Sequence, residues 1–132
     1  MTPTSRTLKY YRDAGYMVGV VERFNSHTKT RHDLFGFIDL VAVRNGRTVG
    51  IQATSTGNVS SRIAKIRDER HDEALQWLMA GNEIVVIGWK KYKKAIDRKY
   101  WRETITQIEM HGSNPSKGEY YNVGRSNCLK PI

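Results

Sequence analysis

The sequence predicts an α/β domain built on a mixed central β-sheet flanked by helices, and three observations carry that prediction. Two apolar-rich runs, 37–44 and 47–54, flank Asn45-Gly46, a dipeptide that readily takes positive φ at both central positions of a type I′ turn. Apolar residues then recur at near-helical spacing through Ile63, Ile66, Ala74, Leu75, Leu78 and Met79. The run 83–89 is almost continuously apolar, the pattern of a strand covered on both faces. A hairpin, a helix and a returning buried strand require a crossover connection, with helices lying on the sheet.

Taken in order, a first helix spans 7–14, with Thr4 or Ser5 as its cap and Gly15 where a C-terminal glycine belongs. Residues 16–24 are rich in β-branched and aromatic side chains and predict a strand. Polar residues 25–32 predict a loop. The hairpin 37–44 and 47–54 follows, then a short loop and the longest helix, ending at Gly81-Asn82. After the buried strand 83–89, residues 103–110 alternate apolar and polar positions and predict an edge strand. These elements fill a core domain over 1–110. Gly, Ser, Asn and Pro dominate 111–132, a loop-rich tail expected to pack on the same domain through Tyr120, Tyr121 and Val123.

A length of 132 residues suits one domain with its own core, and no apolar run reaches the ~18–20 residues of a membrane span. The start of the chain opens no apolar signal region and Cys128 has no partner for an internal disulfide, so a reducing cytoplasm is expected. One Cys and four dispersed His offer no zinc spacing, and no phosphate-binding loop or nucleophile elbow is present. The formal charge is +9; residues 1–88 contribute +3 and residues 89–132 contribute +6. The densest cationic run interleaves Lys90, Lys91, Lys93 and Lys94 with Trp89 and Tyr92, and Arg98-Lys99-Tyr100-Trp101-Arg102 follows. Such a surface either meets phosphates while rings shield the contact, or is a solvated edge.

Asp39 lies between Ile38 and Leu40, and Gln52 between Ile51 and Ala53. A carboxylate in an apolar strand is costly unless it is hydrogen-bonded, paired or holds a cation. Pairing around Asn45-Gly46 sets Asp39 directly opposite Gln52, so either the two side chains bond to each other or a hard cation such as Mg²⁺ bridges them. Glu22, at the end of the preceding strand, adds an oxygen if that strand is the neighbour. Asp33 is a further ligand, a partner for Arg31, or a turn cap. His27 and His32 are either a general acid or base or, as loop histidines more often are, solvated, and Trp77, Trp89 and Trp101 fit core or rim packing better than base stacking.

The run Gly36-Phe37-Ile38-Asp39-Leu40-Val41-Ala42-Val43, a short turn, and Gly50-Ile51-Gln52-Ala53-Thr54-Ser55 resemble the two-strand core of the PD-(D/E)XK nucleases, and particularly their Holliday-junction-resolvase-like and VRR-Nuc types. The resemblance covers roughly residues 8–89. It implies a restriction-endonuclease-like αβββαβ core, with Asp39 and Gln52 at the two metal-binding positions, the Ala53 carbonyl completing the shell and Glu22 as the upstream acid. Thr54 stands where the family carries its lysine. Some members move that lysine to the neighbouring helix, where Arg62 and Lys65 lie three apart.

The resemblance therefore implies a DNA endonuclease using Mg²⁺ or Mn²⁺ on duplex or branched DNA, with Asp39, Gln52, Glu22 and Lys65 as the catalytic set. Arg62, Lys65 and the lysines 90, 91, 93 and 94 would grip the nucleic acid. Resolvase-like members usually act as dimers, and the small size resembles phage-encoded nucleases, which work in a bacterial host cytoplasm. Gln52 and Thr54 together motivate a second reading, a DNA-binding accessory protein that does not cut. A basic protein binding an acidic protein surface is a third.

Overall fold

The computed structural model describes residues 1–95, 98–110 and 129–131. Its elements are α1 (Pro3–Asp13), β1 (Met17–Val20), β2 (Arg23–Asn25), β3 (Thr30–His32), β4 (Leu40–Arg44), β5 (Arg47–Ser55), α2 (Val59–Glu69), α3 (His71–Met79), β6 (Glu83–Ala95), β7 (Arg98–Met110) and β8 (Leu129–Pro131). Six strands form a mixed sheet in the order β1-β4-β5-β6-β7-β8, in which β5 and β6 run parallel and the other neighbours antiparallel. No helix among the described residues is long and apolar enough to cross a membrane.

The sheet separates two cores. Tyr11 of α1 packs with Leu40, Ala42, Val49, Ile51, Ile87 and Trp89 on one face. Ile66 of α2 and Ala74 of α3 pack with Phe37, Ile38, Ile84, Val86 and Ile108 on the other. Successive residues of β6 thus enter opposite cores, which is why 83–89 reads as continuously apolar. The Asn45-Gly46 turn has φ of +46° and +79°, and its ladder runs from Leu40 opposite Ile51 to Arg44 opposite Arg47.

Several boundaries differ from the sequence reading. The first helix starts earlier, because Thr2, just ahead of Pro3, is its N-cap and forms a reciprocal capping box with Ser5 in the first turn. The expected strand 16–24 divides: β1 joins the main sheet, whereas β2 leaves it and pairs with β3 as a separate ribbon. Residues 25–32, expected as a loop, thus contain a strand. Phe37 and Ile38 are buried but precede β4, in a bend closed by a bridge between Leu34 and Ile38.

The long helix breaks at Arg70, whose φ and ψ of −120° and 28° leave the helical region. Every residue between Ile66 and Ala74 is charged or histidine, so a change of direction lets both apolar ends reach the sheet. β6 continues through the lysine run and β7 begins at Arg98, together forming a long two-stranded arm. Apart from β8, which pairs with Ile108, Glu109 and Met110, the expected tail packing lies outside the described residues.

Gly88 decides how closely α2 approaches. A Cβ there would meet Val59 Cγ2 at 2.5 Å and the Thr56 Cα at 2.9 Å. Only glycine lets the start of α2 lie against β6, and this contact fixes where Arg62 and Lys65 are presented.

Candidate metal centre and its cleft

Three carboxylates meet beyond the ends of β1 and β4. One oxygen from each of Glu22, Asp33 and Asp39 lies within 4.8 Å of the other two. Glu22 gets there through an irregularity in pairing. Val20 stands opposite Leu40, so regular continuation would set Val21 alone opposite Asp39. Instead the Val21 and Glu22 N–H groups both donate to the Asp39 carbonyl, at 2.9 and 3.3 Å, the bonding pattern of a β-bulge. The bulge ends the β1 ladder, and the Glu22 side chain lines the cleft.

Asp33 is returned to the site by the bend that follows it. Phe35 and Gly36 have φ of +54° and +81°, and the Gly36 N–H donates to the Asp33 carbonyl at 3.0 Å. A side chain at Gly36 would collide with the Arg70 guanidinium. The two bends therefore bring residues far apart in sequence to one point.

Asp39 is 6% exposed and its Oδ2 accepts the Ala53 N–H at 3.0 Å. Burial, the hydrogen bond and negative charge of Asp33, and the charge of Glu22 push its pKa up to about 8 against the opposing Ala53 N–H. Three carboxylates this close need compensating charge or a proton, and the Arg31 guanidinium, 3.1 Å from Glu22, supplies part of it. Glu22, Asp33 and Asp39 could hold a metal ion through one carboxylate oxygen each.

Of the two expected links between Asp39 and Gln52, the direct side-chain hydrogen bond is not made. Gln52 Nε2 donates to Asp33 Oδ2 at 3.4 Å, Gln52 Oε1 is buried without a hydrogen-bond partner, and the side chain does not line the cleft. Register placed Gln52 near Asp39, but the Ala53 N–H takes the carboxylate and Asp33 takes the amide. Gln52 thus stands across from Asp39 in continuation of the ladder and holds Asp33, which joins Asp39 at the site. Ala53 lines the cleft, and its N–H is the group that holds Asp39. Asp33 does not pair with Arg31; the Arg31 Nη1 lies 3.1 Å from Glu22 Oε1.

The carboxylates open into a cleft of about 780 Å³. Arg62 and Lys65 line it from α2, Phe24 and Arg31 from the ribbon, and Thr2, Pro3 and Thr4 from the start of α1. Thr54, by contrast, is buried and not part of the lining.

The lysine arm leaves the sheet at this same end. β5 and β6 are parallel, with Ala53 beside Ile87 and Ser55 beside Trp89, so 90–95 run from about 10 Å to about 26 Å past the level of Ala53 at ~3.3 Å per residue. Lys90 stands opposite Arg102 and Lys91 opposite Trp101. Alternation thus puts Lys90 on one face with Tyr92, whose ring stacks on Tyr100 at 5.7 Å, and Lys91 and Lys93 on the other with Trp101. Arg6 of α1 lies 3.8 Å over the Trp101 ring, joining this second face to the helix whose start rims the cleft. The side chain of Lys94 lies outside the described residues.

Comparison with protein-family models, curated proteins and solved structures gives no match to this chain.

Proposed function

We propose that the chain is a Mg²⁺- or Mn²⁺-dependent DNA endonuclease on a restriction-endonuclease-like core. The observation that carries this reading is the meeting of Glu22, Asp33 and Asp39 in one cleft with Arg62 and Lys65. A cation held by the three carboxylates would supply charge neutralisation for phosphodiester hydrolysis. The Ala53 N–H fixes the orientation of Asp39, and Gln52 does the same for Asp33. Lys65 and Arg62 bring to the cleft the positive charge that Thr54 lacks, from the neighbouring helix. Lys90, Lys91 and Lys93, on an arm projecting from the cleft end, supply phosphate contacts to duplex or branched DNA.

Incubation of supercoiled plasmid with the protein and Mg²⁺ or Mn²⁺ is expected to give nicked or linear product. Asp39→Ala should slow it by at least about 100-fold, the scale of losing a group that organises transition-state charge. Undiminished cleavage by Asp39→Ala rules the mechanism out.

The burial of Thr54 away from the cleft, and the engagement of Gln52 by Asp33, favour a second reading in which the protein binds DNA without cutting it. That reading expects salt-sensitive binding and no product with either metal.

A further inference from the structure

The β2–β3 ribbon contributes little to either core. All six of its strand residues are exposed, and a lone two-stranded ribbon is marginal in water. Its register sets Phe24 opposite Arg31, and Arg23 opposite His32. Phe24 and Arg31 share a face and both line the acidic cleft. Arg23, Asn25, Ser26 and His32 line a second cavity of about 480 Å³, and Phe24 belongs to its wall as well. One phenyl ring, 63% exposed, therefore stands between a cleft holding carboxylates and a cavity holding a cation and polar side chains.

We infer that Phe24 is a stacking platform for an unpaired nucleotide next to the phosphate in the acidic cleft, so that the substrate is single-stranded or splayed DNA, as at a branch point. This rests on the proposed function for the choice of nucleic acid as ligand. An exposed aromatic ring matches the π-face of a base, which a paired and stacked duplex hides. Arg31 on the Phe24 face and Arg23 on the opposite face supply cations for the phosphates on either side of that base. Asn25, Ser26 and His32 offer hydrogen-bonding groups to the nucleotide beyond it.

Binding is measured with metal chelated, so that cleavage plays no part, using a short single strand carrying one 2-aminopurine and a blunt duplex of the same sequence. Wild-type protein is expected to change the fluorescence of the single strand on binding. Phe24→Ala should weaken single-strand binding roughly 5- to 100-fold, the worth of one base–aromatic stack, and leave duplex binding within about twofold. Phe24→Trp should retain the single-strand affinity. Equal losses on both DNAs, or no loss on the single strand, overturn the inference. Because Phe24 is exposed, its truncation leaves both cores intact. A protein that shows this binding pattern yet cuts nothing with Mg²⁺ or Mn²⁺ supports the stacking role and fails only the nuclease reading.

Discussion

At the scale of single residues, the informative group is Asp39. Its carboxyl is buried, faces two other carboxylates and holds its proton up to about pH 8. An unfolded aspartate ionises near 3.8, so folding raises this pKa. The cost to stability is absent below the unfolded value, grows as pH rises towards the folded one and is complete above it. Asp39→Asn keeps an acceptor for the Ala53 N–H but cannot ionise. Thermal melts of metal-free protein should therefore show the variant more stable at pH 8–9 by on the order of 1–3 kcal/mol, with the gap closing towards pH 4. Added Mn²⁺ should stabilise wild type and leave the variant unmoved. A carboxylate in an apolar run made Asp39 legible in the sequence. Asp33 was less so, because its place depends on the bend at Phe35 and Gly36, where a non-glycine residue takes positive φ.

At the scale of elements, local chemistry and tertiary demands part company. Asn45-Gly46 specifies its hairpin locally, and the observed ladder follows from the turn. The bulge at Val21-Glu22 carries no such signal, since it arises where β1 can no longer follow β4. The lysine run reads as a charged edge in sequence but is a strand, because β7 pairs along it. With Lys90, Lys91 and Lys93 all replaced by alanine, duplex binding under the proposed function should weaken. The slope of log affinity against log salt should fall by about two to three, near 0.9 for each phosphate that a lysine no longer neutralises. An unchanged slope would remove the arm from the interface.

At the scale of the whole molecule, the end of the sheet remote from the cleft is tied together by Arg47. It holds Glu83 through two hydrogen bonds of 2.7 and 2.9 Å and meets the Tyr16 hydroxyl at 2.8 Å, while Gln107 donates to the same Glu83 at 3.0 Å. The Arg47 hydrogen bonds and charge lower the Glu83 pKa against the effect of burial, with Gln107 assisting. This stabilisation is full above the unfolded value of 4.5 and is lost as pH falls through the lower folded one. Glu83→Gln should cost about 1 kcal/mol at neutral pH, Arg47 being half exposed, and nothing in strong acid, as pH-dependent urea unfolding would show. Turn chemistry and apolar periodicity act over a few residues, so the α/β class, the central hairpin, the buried returning strand and the prominence of Asp39 were all legible in the chain alone. Folding in three dimensions was needed to bring Asp33 beside Asp39, to bring Arg62 and Lys65 to the same cleft, and to send the ribbon and arm out from the sheet. Those outcomes depend on a bulge, a glycine contact and a parallel pairing between segments distant in the chain, which no local pattern encodes.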